Sequence, residues 1–107
     1  MTTVANCVCE TLVTQKPLTA DDSDVARAGA VVDFRGVVRP LEEGREIEGI
    51  HYEVHAEMAE HQLKRIADQA AQQFGLERII LHHRIGFIAV GEASLFLRIE
   101  LIMRLSC

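Results

Sequence analysis

The 107-residue chain is poor in the features that mark the commoner functional classes, and these deficits narrow the field first. It holds three cysteines, an odd number, and Cys7 and Cys9 lie only two residues apart. Such a set makes no disulfide framework, and no CxxC motif is present. Cys7 and Cys9 are therefore read as small apolar packing on one strand face, and Cys107 as simply terminal. No apolar run approaches a membrane span, and the amino terminus has no basic segment followed by an apolar core. Positive charge is scarce as well. Eleven Lys and Arg stand against 16 Asp and Glu, for a formal net charge of -5, which argues against a nucleic-acid surface. The expectation is a soluble cytoplasmic protein, with no membrane or nucleic-acid partner, whose arginines act locally.

Catalytic signatures are missing too. There is no Walker loop, no GxGxxG and no nucleophile elbow, and the cysteines have no local base partner. The histidines His51, His55, His61, His82 and His83 match neither HExxH nor a paired Cys/His pattern, so no metal site and no cofactor are expected. His82 and His83 are sequence neighbours on a strand and point to opposite faces, leaving at most one in the core.

What is present is a series of well-punctuated elements. Val4 to Val13 reads as a strand ended by Lys16-Pro17, and Thr19 to Ala28 as a short helix opened by a capping box and stopped at Gly29. The run Gly29 to Arg39 is a β-branched strand with Val32, Phe34, Gly36 and Val38 on one face and Val31, Asp33, Arg35, Val37 and Arg39 on the other. Gly36 inside it predicts a bulge or a close approach. Pro40 and Gly44 mark a turn, and Ile47 to Val54 returns as a strand expected to lie antiparallel to the preceding one. Ala59, Leu63, Ile66, Ala70 and Phe74 recur at helical spacing over 56–74, and Gly75 caps that helix. Arg78 to Arg84 is a strand, Gly86 and Gly91 bracket a short apolar link, and Ser94 to Leu105 is a strongly apolar last strand that needs a partner within the sheet or across a dimer.

Strand, helix, two strands, long helix and two strands make one α+β domain, with one long and one short helix on a mainly antiparallel sheet. The expected core comprises Val32, Phe34, Ile50, Tyr52, Leu63, Ile66, Ala70, Phe74, Ile80, Leu95, Leu97, Ile99 and Leu101. The remaining chemistry lies in arginines at strand ends. Arg39, Arg84 and Arg104 could converge on an anionic group through bidentate hydrogen bonds, the alternative being ordinary half-buried strands with solvated tips.

In order along the chain stand Gly29-Ala30-Val31-Val32, Phe34, Gly36, Val38-Arg39, Tyr52-Glu53, Glu57-Met58-Ala59, His83-Arg84-Ile85-Gly86 and Val90-Gly91-Glu92. This series resembles the large, catalytic subunit of molybdopterin synthase. The resemblance implies an α/β hammerhead-like fold and a homodimer within a heterotetramer, each large subunit binding a small ubiquitin-like sulfur carrier. It also implies a sulfurtransferase of molybdenum cofactor biosynthesis. The carrier's C-terminal thiocarboxylate would enter a pocket and pass sulfur to cyclic pyranopterin monophosphate, forming the dithiolene of molybdopterin. By motif, Phe34, Val37, Val38 and Arg39 fall on the substrate segment, Met103 and Arg104 on a pair at a pocket shared across the dimer, and His83 and Arg84 on supporting positions.

Two departures accompany this match. The pair that is His-Arg in the family reads Met103-Arg104, and methionine can neither titrate nor donate a hydrogen bond. The family's catalytic lysines lie on a segment beyond Cys107, whereas Lys16 and Lys64 match neither, so no catalytic residue is assigned and residues 1–107 are read as one domain lacking that segment. A catalytically incomplete carrier- or pterin-binding scaffold is therefore the alternative expectation, and an unrelated small-ligand module a third.

Overall fold

The computed structural model describes residues 8–19 and 29–101. Its strands are β1 (Val8–Thr14), β2 (Ala30–Val37), β3 (Leu41–Glu42), β4 (Arg45–Glu46), β5 (Gly49–Tyr52), β6 (Arg78–Arg84), β7 (Gly86–Ala89) and β8 (Ala93–Leu101), with helix α1 spanning Ala56–Phe74 between β5 and β6. The principal sheet has the order β1-β6-β8-β2. β6 and β2 both pair antiparallel with β8, whereas β1 and β6 are parallel. The class is α+β, as the sequence predicts. The expected short helix and the first residues of the expected opening strand lie outside the described residues.

Helix α1 forms where the pattern places it, and both ends are satisfied. The Met58 amide donates to Nδ1 of His55 at 3.3 Å, an imidazole serving as the N-cap acceptor. Gly75 takes the left-handed conformation at φ 62°, and the Leu76 amide donates to Ala71. The buried face is rotated from the expected one. Ala67 and Ala71 are the buried helical residues, and with Leu76, Ile79 and Leu81 they form the core, against which Cys9, Leu63, Ala70, Leu95, Leu97, Ile99 and Leu101 pack. Small side chains let the helix axis approach the sheet closely, so the seam follows the alanines. Ile66 and Phe74 stay 57% and 65% exposed, and Val32 and Phe34 on β2 are 58% and 55% exposed. All four were expected inside. Ile80 is buried as expected, while Val38, Ile88 and Phe96 are buried residues absent from the expected core.

One pairing and one element differ from expectation. β5 lies antiparallel to β7, not to β2, and the apolar link after Gly86 is itself that partner strand. Gly49 explains how closely they meet, since a Cβ there would stand 2.4 Å from the Ile88 carbonyl oxygen and 2.5 Å from the Phe87 ring. Gly36 does mark a bulge. The register with β8 shifts between Gly36 and Val37, from Leu95 to Ala93, so the extra residue is Ser94 on the partner strand, whose hydroxyl donates to Gly36 at 3.4 Å.

Candidate functional site

The ends of β2, β6 and the β7–β8 turn converge on one cleft of about 480 Å³ lined by Pro17, Leu18, Thr19, Arg35, Arg84, Gly91, Glu92 and Ala93. Its geometry starts from the turn. Gly91 at φ 88° and the Glu92 amide, which donates to Ala89 at 3.0 Å, close the chain between β7 and β8. The Glu92 carboxylate accepts the Ala89 amide at 3.1 Å and Nη1 of Arg84 at 3.0 Å. Glu92 thus secures the turn and holds Arg84 in the wall.

Arg84 is the group of chemical interest. Its side chain is only 11% exposed, yet its Nε is buried with no hydrogen-bond partner among the described residues. A buried guanidinium donor left without an acceptor costs free energy, on the order of 1–3 kcal/mol, which an anionic ligand or water would recover. Arg35, an exposed residue, brings a second guanidinium to the same cleft. With two cations against Glu92, the lining carries a positive excess that suits a phosphate or carboxylate.

The residues singled out in the sequence distribute unevenly around this cleft. Arg84 lines it, but Arg39 does not; that side chain is 76% exposed and stands 3.8 Å from Glu42. The expected convergence of Arg39, Arg84 and Arg104 is therefore not what the described residues display, and Arg104 and Met103 lie outside them. Strand β2 ends before Arg39, and the turn toward Pro40 carries that guanidinium away. Phe34 and Val37 are exposed, at 55% and 46%, whereas Val38 is 3% exposed. The Val38 amide donates to Glu92 at 3.1 Å and its carbonyl accepts from Gly91 at 2.9 Å, so Val38 positions the turn and turns no side chain to solvent. His83 meets Tyr52 edge to face at 5.6 Å, and its Nδ1, in the protonated tautomer, donates to the Arg84 carbonyl at 2.8 Å. That contact supports the backbone next to the cleft.

The sequence reading passed over Arg35. Its alternation places Arg35 on one face with Arg39, which was the available signal, but only the tertiary structure brings Pro17 to Thr19 to line a cleft beside Arg35. Behind it runs a layer of paired charges on the same sheet face. Arg98, 2% exposed, donates from Nε and Nη2 to Asp33 at 2.7 and 2.8 Å, and its guanidinium lies 5.4 Å from the Phe96 ring centre. The Arg98 hydrogen bonds hold the Asp33 carboxyl below its ordinary range. Arg78 joins Glu10 at 2.7 Å and Glu100 at 3.5 Å. His82 has a lowered pKa because burial disfavours its charged form, a shift partly opposed by Glu10.

An α+β sheet with an arginine-lined cleft at its strand ends defines the class of the molecule. A model of the MoaE protein family matches residues 10–104, and the chain belongs to that family. It is 43% identical over 68 residues to the molybdopterin synthase catalytic subunit of Pseudomonas aeruginosa, covering 64% of this chain and 45% of that protein. Over 77 residues it is 35% identical to the molybdopterin synthase catalytic subunit of Oryza sativa, covering 72% and 40% respectively. The chain thus spans less than half the length of either relative. Among solved structures, molybdopterin synthase from Staphylococcus aureus is similar with a TM-score of 0.74 and 26% identity, covering 86% of this chain and 70% of that one. The MoaE protein from Burkholderia ambifaria has a TM-score of 0.75 over 91% of this chain and 67% of its own, and at 19% identity it supports the fold alone.

Proposed function

We propose that the chain supplies the large-subunit fold of a molybdopterin synthase and acts in molybdenum cofactor biosynthesis. In this reading it receives a small ubiquitin-like sulfur carrier and cyclic pyranopterin monophosphate, and sulfur passes from the carrier's thiocarboxylate to the pterin to build the dithiolene. Two sulfurs enter each product. The homodimer of such subunits, and the heterotetramer with two carriers, belong to the same reading, as does a cytoplasmic location.

The observation that carries it is the buried Arg84, held by Glu92 with its Nε unpaired, in a cleft that Arg35 also lines. A pterin phosphate matches those donors in charge, and a carrier's C-terminal carboxylate or thiocarboxylate matches them equally well. Arg84 would bind the anion from the wall and Arg35 from the mouth. Arg39, with Phe34 and Val37, would contact substrate outside the cleft. Glu92 holds Arg84 in place, and His83 steadies the backbone that carries it.

The test mixes the protein with thiocarboxylated carrier and cyclic pyranopterin monophosphate and follows formation of the dithiolene product, alongside separate titrations of carrier and pterin by calorimetry. Product formation supports the whole reading. Binding of both without product removes sulfur transfer and leaves the carrier- and pterin-binding scaffold, and binding of neither removes the function altogether.

A further inference from the structure

Arg39 stands outside the cleft, yet the backbone that carries it is tied to the cleft's own turn. Val38 is 3% exposed and gives both main-chain groups to that turn, its amide donating to the Glu92 carbonyl at 3.1 Å and its carbonyl accepting the Gly91 amide at 2.9 Å. On the other side of Arg39, the Pro40 carbonyl accepts the Ile47 amide at 2.9 Å, and a proline there confines the residue before it to extended backbone. Arg39 is therefore clamped at both neighbours. Its side chain is held far less, being 76% exposed with Glu42 at 3.8 Å. The place from which that guanidinium reaches a ligand is set by the two backbone anchors, and one of them is the turn between β7 and β8.

The shape of this turn hangs on one side chain. The Glu92 amide already donates to the Ala89 carbonyl at 3.0 Å, and Oε1 of Glu92 closes the same residues a second time by accepting the Ala89 amide at 3.1 Å. That same oxygen accepts Nη1 of Arg84 at 3.0 Å. One carboxylate oxygen thus joins the strand end that carries Arg84 to the turn that holds Val38. A hydrogen bond between two charged groups is the stronger kind, and Arg84, at 11% exposure, has little water to take in exchange.

We infer that Glu92 is the positioning residue of both arginines: its carboxylate orients Arg84 in the cleft, and through the turn and Val38 it sets where Arg39 presents its guanidinium. The inference rests on the functional reading for its ligand, a pterin phosphate met by Arg39, and adds that Arg84 and Arg39 act as one coupled anion-binding unit. Its sign is distinctive. A carboxylate that lines an anion site weakens binding by its charge alone, so removing that charge would tighten the ligand if Glu92 had no other role. A positioning role reverses the outcome, because the two guanidiniums lose their alignment.

Calorimetric titration of the intact chain with cyclic pyranopterin monophosphate tests it in the wild type, Glu92→Gln, Arg39→Ala and the double variant. Glu92→Gln should weaken binding about tenfold in the wild-type background and about threefold or less once Arg39 is gone, the non-additivity expected of residues that act together. Equal losses in the two backgrounds overturn the proposal, and so does tighter binding by Glu92→Gln. Two readouts need no ligand. In Glu92→Gln the Val38 amide should exchange faster with solvent while the Ala67 and Ala71 amides of the core helix keep their rates, and the Nε–H resonance of Arg39 should shift. An unchanged Val38 rate with an unmoved Arg39 resonance overturns the proposal whether or not the pterin binds. A wild-type chain that binds no pterin phosphate, with both ligand-free changes present in Glu92→Gln, overturns the functional reading and leaves the positioning role of Glu92 standing.

Discussion

Arg98 concentrates the residue-scale physics of this protein, because a guanidinium 2% exposed on a sheet face must find its acceptors within the molecule. Asp33 provides two of its hydrogen bonds from the neighbouring strand. Asp33→Ala removes those two hydrogen bonds from a buried charge, and unfolding by urea should register a loss of about 3 kcal/mol, the low end for breaking a buried pair because the Asp33 side chain is 45% exposed. The lowered pKa of Asp33 gives the pair a pH signature. The stability it contributes is complete above the ordinary carboxylate pKa and is lost as pH falls through the lower value of the folded state. His82 acts in the same direction but at higher pH. Its folded pKa is lowered, so the unfolded chain binds more protons just below the ordinary histidine value, and stability falls as the solution is acidified there. Denaturation midpoints measured from about pH 5 to 7, on the order of one unit around the ordinary histidine pKa, should vary less with pH in His82→Phe than in the unmodified chain. Under the proposed function, Arg39→Ala should weaken binding of the pterin phosphate by roughly 1.5–3 kcal/mol in calorimetry, the size of a lost charged hydrogen bond, with carrier binding kept.

At the scale of elements, the glycines and alanines decide more than the large apolar residues do. Helix α1 was legible to its exact limits, since its 3.6-residue pattern and Gly75 are local signals. Its inward face was not, because Ile66 and Phe74 outrank Ala67 and Ala71 in hydrophobicity while the alanines permit the closer approach to the sheet. Replacing Ala71 with Leu should therefore destabilise by about 1–3 kcal/mol through overpacking, whereas Ile66→Ala on the exposed flank should change the thermal midpoint little. The β5–β7 pair was legible as segments but not as partners. Gly49 admits the Ile88 carbonyl at a distance no Cβ tolerates, and Gly49→Ala should lower the melting temperature by separating these strands. Gly36 was readable as a bulge, yet whether the extra residue sat on its own strand or on β8 depended on the register with Ala93 and Leu95.

Over the whole molecule, the described fold is extended rather than spherical, with a Cα radius of gyration of 16.1 Å where a compact chain of this length has about 13 Å. Val32, Phe34, Ile66 and Phe74 stay exposed on that shape. No described helix is long and apolar enough to cross a membrane. Membership of the family rests on an ordered series of short motifs that the linear sequence carries by itself, and the α+β class and the limits of α1 and β6 were legible there too. These are local or one-dimensional properties, set by side-chain periodicity, turn residues and the order of the chain. Which arginine joins Arg84 was decided only in three dimensions. Arg35 enters the cleft together with residues 17–19 and the turn at Gly91, while Arg39, two residues after β2 ends, does not line it. Convergence of this kind depends on contacts between segments more than sixty residues apart, and no local pattern encodes the angle at which they meet.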